Sequence, residues 1–125
     1  MLRFFNDNLR LNWVDSNNVF VGFDDEGDCC EVWGGDFYDG LDRNAWRLDV
    51  DLTVDNDWVF DTSFHADSDN VDVNLDDYDA ATAAFRLVNG NGDVMYLVIW
   101  NSHNGYYAHG YDFCNGDTVI VSSSL

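Results

Sequence analysis

A chain of 125 residues and 14.2 kDa has room for one core, and 46% hydrophobic with 16% aromatic residues is enough apolar material to exclude disorder. Against 24 Asp and Glu stand five arginines and no lysine, a formal net charge of −19, which disfavours direct binding to nucleic acid or to an anionic membrane. An odd number of cysteines, three, no apolar run long enough to span a membrane and no basic, apolar leader at Met1 predict a protein of a reducing cytoplasm rather than a secreted or membrane-spanning one.

In chain order, Leu9 to Val14 and Val19 to Phe23 are predicted strands joined at Asp15-Ser16-Asn17-Asn18. The turn Asp24-Asp25-Glu26-Gly27 leads to a strand over Asp28 to Trp33, then to a short helical turn near Asp36 to Asn44. The clearest alternation sets Trp46, Leu48, Val50, Leu52 and Val54 against Arg47, Asp49, Asp51 and Thr53. Because it resumes as Trp58, Phe60, Thr62 and Phe64 after a turn at Asp55 to Asp57, residues 46 to 65 read as a hairpin. Asn70 to Leu75 is a further strand, and alanines after Asp77 and Asp79 suggest a helical stretch to Ala84.

Ala83 to Val88 and Val94 to Trp100 form a second hairpin through Asn89-Gly90-Asn91-Gly92-Asp93. The nearly continuous apolar run of its second arm predicts a central strand covered on both faces. Strands at Tyr106 to Phe113 and Thr118 to Ser122 follow the turns His103-Asn104-Gly105 and Asn115-Gly116-Asp117, and Ser122 to Leu125 reads as a frayed tail. The whole predicts one all-β domain over residues 1–125, an antiparallel sandwich or flattened barrel of about eight or nine strands. Its expected core contains Trp46, Leu48, Val50, Trp58, Phe60, Leu97, Ile99 and Val119, with aspartates on exposed strand faces discouraging edge-to-edge association.

The acidity is almost all aspartate, since only Glu26 and Glu31 are glutamates, and Asp favours turns and caps over strand interiors. On a strand, residues i and i+2 share a face about 6.6 Å apart, so Asp49 and Asp51 would present a row of charge spaced much like backbone phosphates. Asp55 with Asp57, Asp67 with Asp69, and Asp77 with Asp79 repeat the interval in turns. These eight aspartates are the candidate surface for a basic partner. Salt adaptation is the competing explanation, because in molar salt a Debye length of about 3 Å tolerates a lysine-free acidic surface.

Other constellations are weaker. Cys29, Cys30, Cys114, His103 and His109 are zinc-type ligands without zinc-type spacing, and the same groups would form a Cys-His nucleophile only if the fold assembled them. Adjacent Cys29 and Cys30 on a strand point to opposite faces, which reads as buried free thiols. Asp55, Asp57 and Asp61, and Asp67, Asp69 and Asp72, offer oxygen ligands but complete no calcium loop. Tyr106, Tyr107 and Tyr111 read as a binding face or as strand packing. No metal and no cofactor is expected.

The segments Asp25-Glu26-Gly27-Asp28-Cys29-Cys30-Glu31 and Asn101-Ser102-His103-Asn104-Gly105-Tyr106-Tyr107 resemble the motifs of an uncharacterised family of small phage and prophage proteins. That family carries a DCCE motif after a strand, a turn matched here by Gly35-Asp36-Phe37 through Leu41, and a closing SNGYY-type motif. The resemblance spans about residues 19 to 113 and rests on Asp28, Cys29, Cys30, Glu31, Asn104, Gly105, Tyr106 and Tyr107. This chain has Asp25 where the family usually has His, and His103 where Ser is usual. The resemblance implies a phage context and no reaction. With the charge, it points to a non-enzymatic accessory protein that binds and blocks a basic, nucleic-acid-handling host protein, as a DNA mimic of the anti-restriction or anti-CRISPR type. A virion-associated protein of a halophile is the alternative, and a small enzyme or ligand-binding domain using the two motifs is the third.

Overall fold

A computed structural model of the chain describes residues 1–26, 32–75, 80–102 and 108–125. Among these residues eleven strands form two antiparallel sheets: β1 (Arg3–Asn6), β2 (Arg10–Val14), β3 (Val19–Asp24), β4 (Val32–Tyr38), β5 (Arg47–Leu48), β6 (Val59–Phe60), β7 (Ala66–Asp67), β8 (Ala81–Val88), β9 (Val94–Ser102), β10 (Gly110–Asn115) and β11 (Thr118–Ser124). One sheet has the order β1-β2-β3-β10-β11; the other has β5-β4-β9-β8-β6, with β7 also on β8. A single 3₁₀ turn, Ser68–Asn70, is the sole helical element among the described residues.

The sheets pack face to face because alternate residues on their central strands are large and apolar. Val21, Phe23 and Phe113 from the five-stranded sheet meet Phe37, Phe85, Leu87, Leu97 and Ile99 from the six-stranded one, all buried. The Phe85 and Phe113 rings, one from each sheet, lie 5.0 Å apart. The six-stranded sheet is covered on its other face too. There Tyr38, Ala84 and Val98, neighbours in sequence of inward-facing residues, pack under Leu41, Ala45, Phe64, Val71 and Leu75. This is why Val94 to Trp100 is an almost unbroken apolar run: β9 sits between β4 and β8 with both faces buried.

Turn chemistry matches the sequence at three of the described tight turns, whereas the β1–β2 turn, with Asn8 and Leu9 at positive φ, falls where Leu9 is expected to begin a strand. Asn18 takes positive φ between β2 and β3, Gly92 (φ +81°) closes β8 to β9, and Gly116 (φ +57°) closes β10 to β11. The buried Asp15 does more than turn the chain. Its carboxylate accepts the Asn17 and Val19 backbone N–H groups and, from the other sheet, that of Phe60 at 2.8 Å. One side chain thus bridges the sheets.

Several expectations are corrected. Residues 46 to 65 are not a hairpin: β5 pairs with β4 and β6 with β8, at opposite edges of the sheet. The intervening segment crosses four strand spacings, roughly 19 Å. Its apolar residues still face inward, since Leu48, Val50, Leu52 and Trp58 are half-buried against the core, but Trp46 (76% exposed) and Val119 (57%) are not core residues. Asp36 to Tyr38 continue β4 instead of forming a helix or the family turn, and Ala81 to Ala84 belong to β8. Asn70 to Leu75 is no strand, for after the 3₁₀ turn the chain runs irregularly over the outer face. The C-terminus is not frayed, because β11 reaches Ser124 and Leu125 exchanges two backbone hydrogen bonds of 2.8 Å with His109.

Candidate functional site

The aspartates are placed chiefly by turns. Among the described residues, Asp15, Asp24, Asp42, Asp51, Asp61 and Asp67 each accept the backbone N–H two residues on, at 2.9–3.1 Å. Only a short side chain closes this ring, which is why the acid is Asp and hardly ever Glu. Asn56 and Asn89 do the same with an amide.

Of the eight predicted acidic residues, Asp77 and Asp79 lie outside the described residues. The other six are exposed, but none forms a strand-borne row. Asp49 and Asp51 follow β5 on irregular chain, Asp51 held by the Thr53 hydroxyl and N–H, which depress its carboxyl pKa, the hydroxyl more than the N–H. Asp55 and Asp57 stand on the same crossing segment, Asp57 accepting the Gly90 N–H at 2.8 Å. Asp67 caps the 3₁₀ turn through the Asp69 N–H. The acids therefore reach solvent on irregular chain, at the end of β7 and on the 3₁₀ turn.

The cations do not cancel them. Arg10 pairs with Asp112, Arg43 with Asp72, Arg47 with Asp36, and Arg86 with Asp61 at 2.7 Å. The Ser63 hydroxyl and then Arg86 hold Asp61 down to a pKa of about 2, while burial pushes Asp36 up against the opposing pull of Arg47. Arg86 also lies over the Phe64 ring, 4.5 Å from its centroid.

Asp49 and Asp51 stand at a cleft of about 940 Å³ between the β1–β2 edge of one sheet and β4–β5 of the other. Phe4, Phe5, Trp13, Phe37 and Leu52 line it, with Arg3, Asp36 and Arg47 as its other charged groups. Gly35 makes the close approach possible: a Cβ there would sit 2.7 Å from the Trp13 ring. Phe4 (46% exposed) and Phe5 (41%) leave apolar surface open beside the acids, a combination of apolar centre and charged rim found at protein interfaces. The alternating segment Arg47 to Thr53 supplies one wall of this cleft, but β1, on the other, has no alternation and is not predicted.

The motif residues Asp28, Cys29, Cys30, Glu31, Asn104, Gly105, Tyr106 and Tyr107 lie outside the described residues. Their flanks are ordered by the topology: β3 neighbours β10, β4 neighbours β9, and Val32 is in register with Ser102. The described strands that flank the two motifs in sequence are thus paired. At that end Trp33 stacks on the buried His109 at 4.7 Å and donates its indole N–H to Asp25. His109 Nδ1 lies 2.8 Å from the Asp24 carbonyl, which only accepts, so in the neutral ring Nδ1 carries the proton. Among the described residues no cluster of three metal-ligating side chains occurs. His109 and Cys114 are five residues apart, roughly 16 Å along an extended chain, too far to share an ion. Cys114 is buried and its thiol pKa raised, first by desolvation; Tyr111 is buried against His65 at 2.9 Å. No described helix is long and apolar enough to cross a membrane.

A family model described as a domain of unknown function, DUF7448, matches residues 6–113. No curated protein and no solved structure matches the chain.

Proposed function

We propose that this chain, which belongs to the DUF7448 family, is a non-enzymatic, phage-type accessory protein that binds and blocks a basic, nucleic-acid-handling host protein. The observation that carries this reading is the charge left after local pairing. Four of five arginines are spent on Asp112, Asp72, Asp36 and Asp61, while Asp49, Asp51, Asp55, Asp57, Asp67 and Asp69 remain exposed on a chain of net charge −19. Such a field steers a cationic partner and repels nucleic acid. The acids form no row along a strand, so mimicry of DNA here means a matching potential rather than a strand-borne copy of phosphate spacing. The open apolar cleft beside Asp49 and Asp51 supplies surface for specificity.

The test is binding to a panel of basic nucleic-acid enzymes at low salt, repeated as KCl rises from about 0.1 M to about 1 M, where screening shortens from about 10 Å to about 3 Å. Tight binding to at least one member that weakens steeply with salt is expected; no binding at the low end overturns the reading. The absence of lysine favours a second reading, an acidic protein of a halophilic host or virion. Thermal unfolding over the same KCl range separates the two, since a salt-adapted fold melts at the low end and an inhibitor stays folded throughout.

A further inference from the structure

We propose that β11 is a docking edge at which an extended, cationic segment of the partner protein adds a strand to the five-stranded sheet. The inference rests on the basic-partner reading above and names where and how that partner engages.

β11, Thr118–Ser124, pairs among the described residues on one side only, with β10. Six of its seven residues are exposed, including Val119 and Ile120, so alternate backbone N–H and C=O groups of its outer side face solvent unpaired. Natural edges are normally blunted by charge, proline or shortness. β11 has none of these: it reads Thr-Val-Ile-Val-Ser-Ser-Ser, free of charge in a chain with 24 acids. The other sheet is treated differently, ending on the two-residue β5 and β6 beside Asp49 and Asp61. β11 is also held in place at its far end. Ser122 donates to Asp112, which the Arg10 guanidinium anchors, and Leu125 is bonded to His109. A fixed, uncharged, hydrogen-bonding edge suits strand addition.

Charge decides the occupant. A second copy would bring −19 against −19, whereas a lysine- and arginine-bearing strand lowers the repulsion it meets. Asp117 stands exposed at the start of the edge.

The probe is a peptide of about eight alternating lysines and valines, long enough to pair with the whole strand, with a second version N-methylated at alternate residues that keeps the charge but loses the donors. Affinity is measured for the native protein and for Val119→Lys and Val94→Lys, which change net charge equally at exposed valines, only the first on β11. Val119→Lys is expected to weaken binding by about tenfold, Val94→Lys by less than about twofold, and N-methylation to abolish it. Should Val119→Lys melt early, Ser124→Lys on the same edge replaces it. Equal effects of the two valine variants, or tolerance of N-methylation, overturn the docking edge while leaving the basic-partner reading intact. The docking edge falls alone, too, if basic enzymes bind at low salt but the peptide does not; if neither binds, both proposals fall. A doubling of mass promoted by KCl would identify a second copy as the occupant and overturn the proposal.

Discussion

The six-stranded sheet has both faces covered and ends on two-residue strands, whereas the five-stranded sheet leaves one face to Arg10, Asn12, Asp112 and Ser122 and ends on β1 and β11, neither of which carries an acid. The same acid-rich composition therefore serves two ends. Around the six-stranded sheet, aspartates turn the chain as it wraps the sheet, and the wrapping itself shields the edges. Around the five-stranded sheet the chain makes tight hairpins and, among the described residues, no strand pairs with the outer side of β1 or β11. Protection of an edge here comes from the route of the chain more than from charges on the strands.

A matched pair of phenylalanines breaks that comparison most sharply. Phe85, fully buried on β8 against Phe113 and Tyr111, should cost about 4 kcal/mol when truncated to Ala, a fall in Tm of roughly 15 °C. Phe5→Ala on β1, where the ring is half in water, should cost less than about 1 kcal/mol. Similar losses at the two sites, measured by urea unfolding, would mean that β1 is covered in solution.

The next effect lies at the wrapped edge. Asp61→Asn keeps an acceptor for Ser63 but removes the charge that pairs with Arg86, a loss of roughly 1 kcal/mol near neutral pH. Its sign with pH follows from the depressed folded value of about 2. The carboxylate's contribution is complete above the ordinary Asp value of about 3.9 and is lost as pH falls towards 2. The stability gap between native and Asp61→Asn should therefore close between about pH 4 and pH 2; a constant gap would mean that the ion pair contributes nothing. Smallest of all, Trp46→Ala should change stability by less than about 0.5 kcal/mol, because the ring is mostly in water.

Trp46 also marks where the alternation stopped being a guide to burial. Alternation reported burial correctly for Leu48, Val50 and Leu52 and failed as a sign of strand, since a segment drawn over a core alternates for the same reason a strand does. Ala81 to Ala84 looked helical, yet Ala83 and Ala84 are fully buried on opposite faces of β8, where both layers press close and only small side chains fit. β9 and the turns after β2, β8 and β10 were readable because each depends on local chemistry, whereas the turn at Asn8 and Leu9 was not. The cleft and the open edges were not, because they depend on which strand ends up beside which.

The aspartate turns carry one more consequence. Asn56 and Asn89 close the same ring that Asp24, Asp42, Asp51 and Asp67 close, so at those four positions an amide would preserve the bend and discard the charge. Shape and electric field are thus set by separate choices in this chain. A series of Asp→Asn exchanges at these turns is in effect a dial: it retunes the potential felt by anything approaching the molecule while the scaffold that presents it stays the same.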